Sequence, residues 1–407
     1  MRSPNAVCSS CLLETGLKRF AIKSGFDPDD NFQCDAHGHL DSPCQKIITL
    51  SDLAAYIERC LGRLYEDPAE GVPYNSQEGG WLVDPTPTTD VLDDLGTEIC
   101  DDPEITRTVG EIVDSNHGEW MRSNWRGDDK LSCLQSAWES FCSEVRQHRR
   151  YTFFSHQTEE ELPGDTPCNA DISPTKVPFK LVKEARQNGL ITSLPKGSLW
   201  WRARVHKADE ACDNAQVLGT PPAKFARDNR MSPKGVAVFS AARTPETAMS
   251  EVLGHEGLRD GDEKKITVGR FEQLRDLKVV DLTSLPKVPS IFDEEEQISK
   301  RENALLLSWF AQRLTQPLHK GDEHQQLGYI PTQIVAEIFR HAVGADGLIW
   351  RSTKNHEETV CAIFSSNEEM LDGQTEPSPS HLMLLQCDTL RQYDNSSLPP
   401  AGAGQPE

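Results

Sequence analysis

The hydrophobic pattern of this chain changes near Gly197. Before that point apolar residues recur at helical spacing, as Leu53 and Ile57 do, which places them on one side of a helix. After it, short β-type runs such as Leu199–Val205 and Val236–Ala242 are separated by turn residues. The pattern predicts an α+β protein, with a mostly helical N-terminal part followed by a β-rich domain.

The same patterns divide the chain into segments. We expect a metal-binding module (residues 1–45), a helical domain (46–157), a linker with a lead-in helix (158–196), a β-rich domain (197–390) and a disordered tail (391–407) whose composition turns polar and proline-rich from Asn395. The predicted helices are Leu53–Leu64, Thr88–Cys100, Ile105–Asp114, Leu131–Gln147, Phe179–Asn188, Gln297–Leu314 and Thr332–Ala342. Further strands are predicted at Ile266–Phe271, Leu277–Leu282, Leu348–Arg351 and Val360–Phe364.

The composition limits what the chain can bind. Its 407 residues include 42 lysines and arginines against 64 aspartates and glutamates, a formal net charge of −22. Overall charge therefore disfavours nucleic acid as a partner. The apolar runs are far shorter than a membrane span, and the N-terminus lacks the apolar run of a signal peptide. We expect a cytoplasmic protein with no membrane partner.

Nine of the 12 cysteines lie in the first 168 residues. In a reducing compartment such clustering favours metal binding over disulfides, and two close pairs of ligands suit tetrahedral Zn²⁺. The predicted ligands are Cys8, Cys11, Cys34 and His37, with His39 or Cys44 as possible replacements for the last. The zinc would be structural, because four protein ligands leave no open position. The alternative is a set of cysteines without a metal.

Positive charge is concentrated around the first two predicted strands. Alternation along Leu199–Val205 places Arg202 and Arg204 on one face together with Trp200. Two guanidinium groups on one strand face favour an anionic ligand unless that face is simply solvated. Residues 218–250 carry five lysines and arginines against two carboxylates, which suits a phosphate-bearing small molecule.

A helix start follows the second strand. Thr244 suits the N-cap and Pro245 the first helical position. Glu251 lies two turns into this helix, on the side that we expect near the edge of a cleft. Without other information such a carboxylate would be read as a solvated helix residue.

Together these segments resemble the RES domain family between Gly197 and Phe364. The matching motifs are Trp201-Arg202-Ala203-Arg204, Asn229-Arg230-Met-Ser-Pro-Lys-Gly235, Thr247-Ala-Met-Ser-Glu251-Val, Asp346-Gly-Leu-Ile-Trp-Arg-Ser352 and Val360-Cys-Ala-Ile-Phe364. The N-terminal half is similar to the helical HEPN-type domain often fused before RES, through Tyr65, Val72-Pro-Tyr74-Asn, Glu78-Gly79-Gly80 and Trp120.

The resemblance implies an ADP-ribosyltransferase-like fold and an enzyme that consumes NAD⁺. Such proteins are typically bacterial toxins paired with an antitoxin, and they cleave the nicotinamide–ribose bond by hydrolysis, phosphorolysis or ADP-ribosyl transfer. Catalytic roles would fall on Glu251, Arg230 and Ser352, and Arg202 and Arg204 would join Arg230 in binding the dinucleotide.

One position departs from the family pattern. Where the family usually has an aromatic residue that stacks on nicotinamide, this chain has Ser240, which would still line the binding site. Phe239 points to the opposite face by alternation, so stacking would have to come from Trp200 or Trp350. Otherwise the site is weakened or inactive.

The sequence is also compatible with two other functions. Arg150 and His156 have the R-x4–6-H spacing of HEPN ribonucleases, although such spacing arises easily by chance. The chain could also be an interaction protein with an inert RES domain, and an antitoxin or regulatory protein is the expected macromolecular partner.

Overall fold

The computed structural model describes residues 5–28, 33–36, 45–71, 74–75, 80–81, 84–123, 130–154, 173–256, 264–316 and 325–394. Within these ranges every helix falls short of the length and apolar character that a bilayer crossing requires. The expected ligands His37, His39 and Cys44, the candidate His156, residues 158–172 of the linker and the tail from Asn395 lie outside the described residues.

The described part is a mixed α+β structure. Its helices are α1 (Thr15–Ser24), α2 (Leu50–Leu61), α3 (Pro68–Gly71), α4 (Thr88–Asp94), α5 (Pro103–His117), α6 (Lys130–Ser143), α7 (Val177–Gln187), α8 (Ala215–Leu218), α9 (Pro245–Glu256), α10 (Glu295–Ile298), α11 (Arg301–Thr315), α12 (Gln325–Gly328) and α13 (Ile330–Ile338). The predicted helix Thr88–Cys100 ends early because Gly96 has a φ of 61°, which leaves the helical region.

In the part of the chain that the structure describes, the strands form one large sheet and three two-stranded ribbons. They are β1 (Ala6–Cys8), β2 (Ile47–Thr49), β3 (Tyr65–Glu66), β4 (Tyr74–Asn75), β5 (Gly80–Trp81), β6 (Met121–Arg122), β7 (Ile191–Leu194), β8 (Leu199–Lys207), β9 (Phe239–Ala242), β10 (Lys264–Gln273), β11 (Leu277–Asp281), β12 (Gly347–Arg351), β13 (Thr359–Ile363), β14 (Met370–Asp372) and β15 (Met383–Asp394). Residues 391–394 are thus strand rather than tail, and the strand predicted from Val236 begins at Phe239.

The chain forms two compact units. The first contains residues 1–133 together with residues 287–304, which follow β11 in the sequence. Its core is built from the apolar sides of α1, α2, α4 and α5, and Phe292, 1% exposed, packs into it. The Tyr56 hydroxyl donates a 2.7 Å hydrogen bond to the Phe292 carbonyl. A segment placed by sequence in the β-rich domain therefore belongs to the N-terminal unit.

The second unit contains the large sheet and the C-terminal part of α6. Its strand order is β14-β15-β10-β8-β9-β13-β12-β11-β7. Trp138 of α6 packs edge-on against Trp309 and Phe310 of α11, with ring centroids 6.0 and 5.6 Å apart. These aromatic contacts explain why α6, expected in the helical domain, joins the sheet unit from Leu134 onward.

The faces of β8 follow the predicted alternation. Trp200 is completely buried in an apolar cluster with Phe239 and Phe271, whereas Ala203 lies in a cluster with Ala242 and residues of α9. The helix α9 packs against β8, β9 and β10 on the second of these faces. This packing places α9 on the face of β8 opposite to the one that Arg202 and Arg204 share with Trp200.

Candidate functional site

A cavity of about 1860 Å³ opens where two central strands separate. The strands β8 and β9 are paired at one position, Trp201 opposite Ala242. From there the residues of β8 from Arg202 to Lys207 line one side of the cavity, and residues 240–242 line another. Arg202, Arg204, Arg230, Ser240 and Glu251 all border this single space.

Glu251 reaches the cavity because of its place on α9. Ala248, one turn earlier, is buried against the sheet, and Glu251 and Val252 follow on the same side at the cavity wall. The Ser352 hydroxyl donates a 2.5 Å hydrogen bond to Glu251 Oε1. This contact joins two residues that are far apart in the sequence.

Ser352 is itself completely buried. Its Oγ accepts hydrogen bonds from the backbone N–H groups of Lys354 and Asn355, at 3.1 and 3.3 Å. Because these donors occupy the oxygen lone pairs, the hydroxyl hydrogen is directed at Glu251. Ser352 therefore lies behind the carboxylate, where it fixes the orientation of Glu251, and it does not itself line the cavity.

Arg202 holds the loop that follows α8. Its Nε donates to the carbonyls of Leu218 and Gly219 at 2.7 and 2.9 Å, and its Nη1 donates to the carbonyl of Ser240. Gly219 is required here, since a Cβ would lie 2.5 Å from the Ala215 carbonyl. Burial lowers the pKa of Arg202 to about 10, so the cation is retained at neutral pH but would gain from an anionic neighbour.

Arg230 lies on the turn that precedes β9. Its Nη1 donates to the carbonyls of Leu314 and Gln316, the latter at 2.6 Å, at the C-terminus of α11, where the helix dipole favours a cation. Burial lowers the pKa of Arg230, and the nearby Tyr329 and Glu251 partly oppose this effect. Among the described residues, the Nε and Nη2 atoms of Arg230 have no hydrogen-bond partner, which leaves a planar fork for a phosphate.

Two other expected binding residues have different surroundings. Arg204 is paired with Glu210, with Nη2 and Oε1 2.7 Å apart, and its Nη1 donates to the Val217 carbonyl. Ser240 is exposed and lines the cavity, whereas Phe239 is fully buried on the opposite face. The alternation predicted for this strand is therefore correct.

The aromatic lining of the cavity corrects one expectation. Trp200 is completely buried in the core, so it does not reach the ligand space. Trp350, half-buried, lines the cavity, as do Tyr329 and Phe225. Trp350 precedes Ser352 by two residues on the same face of the chain and packs near Ala248, beside the helix that carries Glu251.

The cavity is strongly cationic. Among the described residues, eight arginines and lysines line it against three carboxylates, in a chain of net charge −22. A negative ligand is therefore drawn to this site rather than to the rest of the surface. A single carboxylate held among these cations can in turn stabilise positive charge that develops on the bound ligand.

Sequence reasoning missed two residues on α13 that hold the turn of Arg230. The Thr332 hydroxyl donates to the Arg230 carbonyl at 2.8 Å. The Gln333 side-chain amide donates to Asp228, Asn229 and Ser232. Both residues are largely buried, and polar side chains on the inner face of an otherwise apolar helix were the available indication.

The cysteine cluster lies in the first unit. The sulfur atoms of Cys8, Cys11 and Cys34 lie within 4.8 Å of one another. The Cys8 N–H donates to Cys34 Sγ at 3.2 Å, and burial raises the pKa of the Cys11 thiol to about 12. A bound cation would reverse that shift, because it stabilises the thiolate. Three soft donors at this spacing fit Zn²⁺.

Comparison with family models identifies two domains in the chain. The model of the HEPN/RES N-terminal domain 1 matches residues 31–159, and the model of the RES domain matches residues 199–385. No curated protein matches the chain. A similar solved structure is a chain of the M. tuberculosis MbcT-MbcA toxin-antitoxin complex, 14% identical, with a TM-score of 0.28 over 53% of this chain and 91% of that chain. The chain therefore contains a HEPN/RES N-terminal domain 1 followed by a RES domain.

Proposed function

We propose that the cavity binds NAD⁺ and cleaves its nicotinamide–ribose bond, in a domain of ADP-ribosyltransferase-like fold. The observation that carries this proposal is the Glu251 carboxylate, fixed by Ser352 at the wall of a cavity that Arg202 and Arg230 also line. The two guanidinium groups suit the diphosphate. The carboxylate suits the ribose, where positive charge develops as the bond breaks.

The chemistry needs no strong acid. The C1′–N1 bond breaks, its electron pair goes to the nicotinamide nitrogen, and nicotinamide leaves as a neutral molecule. The ribose then has oxocarbenium character, which Glu251 stabilises electrostatically while it holds the 2′-hydroxyl. An oxygen of water, phosphate or a protein side chain bonds to C1′ and loses its proton, where it carries one, to solvent. Trp350 is the aromatic ring best placed to stack on the nicotinamide beside Glu251.

We propose that the protein is a toxin whose activity an antitoxin inhibits, as the presence of a RES domain implies. The test is product analysis: purified protein is incubated with NAD⁺ in buffers with and without phosphate. We expect one nicotinamide per NAD⁺ consumed, and the second product identifies the acceptor as water, phosphate or protein. Intact NAD⁺ under all of these conditions would overturn the proposal.

Replacing Ser352 with alanine is expected to lower kcat for nicotinamide release by about 10- to 100-fold. The carboxylate loses the hydroxyl that orients it, and small errors in the position of a catalytic group are costly. The KM for NAD⁺ should change less than threefold. Ser250→Ala is the matched control, because the Ser250 hydroxyl donates within the same helix to the Thr247 carbonyl. Equal effects of the two variants would contradict the positioning role.

Affinity for ADP-ribose should depend on pH through Arg202. Its pKa of about 10 means that the cation is present below that pH and is lost above it. The ratio of wild-type to Arg202→Gln affinity should be constant from pH 7 to 9 and fall towards one as pH rises past 10. Because the folded-state pKa is lowered, the cost that the buried Arg202 cation imposes on folding is complete below pH 10 and declines as pH rises from 10 towards the ordinary pKa of 12.5. Calorimetric titration measures the ratio, and a ratio independent of pH would contradict the assignment.

We also propose that Cys8, Cys11 and Cys34 hold a structural Zn²⁺, with His37 as the expected fourth ligand. Removing the metal with a strong chelator should lower the melting temperature of the first unit by about 6 to 12 °C, the equivalent of roughly 3 kcal/mol. Metal analysis should give one zinc per chain, and none in Cys11→Ser. Cys60→Ser, a buried cysteine outside the cluster, is the control. Purified protein with no zinc and a melting temperature unchanged by chelator would contradict the site.

A further inference from the structure

The turn that carries Arg230 is closed by its own side chains. The Asn229 N–H donates to the Ser232 carbonyl at 3.0 Å. The Asn229 Oδ1 accepts from the N–H groups of Met231 and Ser232 at 2.9 and 3.0 Å. These bonds fix the internal geometry of the turn but do not fix where the turn lies relative to the cavity.

The amide of Gln333 supplies that second constraint. Its Nε2 donates to Asp228 Oδ1 at 2.7 Å, to the Asn229 carbonyl at 2.7 Å and to the Ser232 carbonyl at 3.2 Å. All three acceptors belong to the turn, and Gln333 is only 6% exposed. A buried amide with every donor directed at one turn holds that turn against α13.

The bond to Asp228 has an electrostatic consequence. Asp228 and Arg230 are two residues apart and both line the cavity. While Gln333 holds the Asp228 carboxylate, Asp228 is a poor competitor for the Arg230 guanidinium. Released from Gln333, the carboxylate could pair with Arg230 and occupy the fork that we assign to a phosphate.

We propose that Gln333 is a positioning residue that sets Arg230 for the diphosphate of the ligand, an inference that rests on the proposed function. Gln333 does not line the cavity, so its effect on binding passes through Arg230 and the turn. Thr332 assists, since its hydroxyl donates to the Arg230 carbonyl, and the ring of Tyr329 lies 6.0 Å from the Arg230 guanidinium carbon.

The test is a double-mutant cycle with ADP-ribose binding as the readout. Gln333→Met keeps the length of the side chain but removes its donors, and it should weaken ADP-ribose by about 10-fold. In an Arg230→Gln background the same change should have no further effect, because the residue acts through Arg230. Additive effects in the two backgrounds would overturn the inference.

A matched control separates positioning from loss of stability. Gln273 is fully buried, and its Nε2 donates to the carbonyls of Leu194, Pro195 and Arg275 at 2.9, 3.2 and 2.7 Å, away from the cavity. Gln273→Met should lower the melting temperature about as much as Gln333→Met but leave ADP-ribose affinity within twofold. Equal loss of affinity in both variants would show a merely structural role.

A crystal structure of Gln333→Met distinguishes this inference from the proposed function. We expect the Arg230 guanidinium to be displaced from its place at the cavity wall, or paired with Asp228, whatever the natural ligand is. An unchanged Arg230 overturns the role of Gln333. Failure of the wild-type protein to bind ADP-ribose, with Arg230 displaced in the variant, would instead overturn the proposed function alone.

Discussion

Nicotinamide release is expected to fall by about 1,000-fold or more when Glu251 is replaced by glutamine, roughly 4 kcal/mol of transition-state stabilisation. Glutamine can still accept the hydrogen bond that Ser352 donates to Glu251. What it lacks is the negative charge that meets the developing positive charge on the ribose. The effect should therefore appear in kcat, with affinity for ADP-ribose changed less than threefold.

Glu246→Gln is the control for this substitution. Glu246 lies in the first turn of the same helix and is exposed to solvent. The Glu246→Gln protein should release nicotinamide at the wild-type rate. Steady-state assays of nicotinamide release measure kcat, and calorimetric titration measures the affinity for ADP-ribose. A Glu251→Gln protein that keeps more than a tenth of the wild-type kcat would contradict the electrostatic role of the carboxylate.

Replacing Arg230 with glutamine should weaken ADP-ribose binding by about 100-fold, because two charge-assisted hydrogen bonds to the diphosphate are lost. Arg230→Lys should recover only part of this loss, about 10-fold, because lysine keeps the charge but not the planar fork. The protein should remain folded, although the α11 carbonyls lose their partner. Calorimetric titration with ADP-ribose measures the affinity of each variant.

Arg275→Gln is the control for Arg230. Arg275 forms an ion pair with Asp346, with the nearest atoms 3.3 Å apart, and does not border the cavity. It should bind ADP-ribose as the wild type does. If Arg230→Gln and Arg275→Gln bind with equal affinity, the diphosphate does not lie at Arg230.

Much of the site could be predicted because its features are local in the sequence. Alternation along β8 placed Arg202 correctly, and Thr244 followed by Pro245 correctly marked the start of α9. Both patterns are set by the backbone within a few residues. The strands β8 to β13 of the large sheet were predicted for the same reason.

What could not be predicted depends on contacts between distant segments. The hydrogen bond from Ser352 to Glu251 joins the end of β12 to α9. The side-chain amide of Gln333, on α13, donates a hydrogen bond to the turn that carries Arg230. Trp200 was taken as a possible stacking residue because its strand face was known. Whether a residue on that face is buried in the core or borders the cavity depends on packing against Phe239 and Phe271, which are distant in the sequence.

Strand pairing was the other limit. The strands β7, β14 and β15 escaped prediction, and in the last of these polar residues such as Gln386 and Gln392 interrupt the apolar pattern. Pairing with β10 and β14 stabilises β15, although the sequence of β15 alone does not predict a strand. Similarly, residues 287–304 belong to the first unit because Phe292 packs into the hydrophobic core formed by the helices of that unit.

The central claim is that a dinucleotide lies in the gap between β8 and β9 with its scissile bond at Glu251. A crystal structure of the Glu251→Gln protein with NAD⁺ tests it most directly, since turnover is suppressed while binding is retained. We expect the diphosphate within hydrogen-bond distance of Arg202 and Arg230, and the nicotinamide ribose beside residue 251. NAD⁺ bound elsewhere on the protein, or a cavity that stays empty at saturating NAD⁺, would contradict the account.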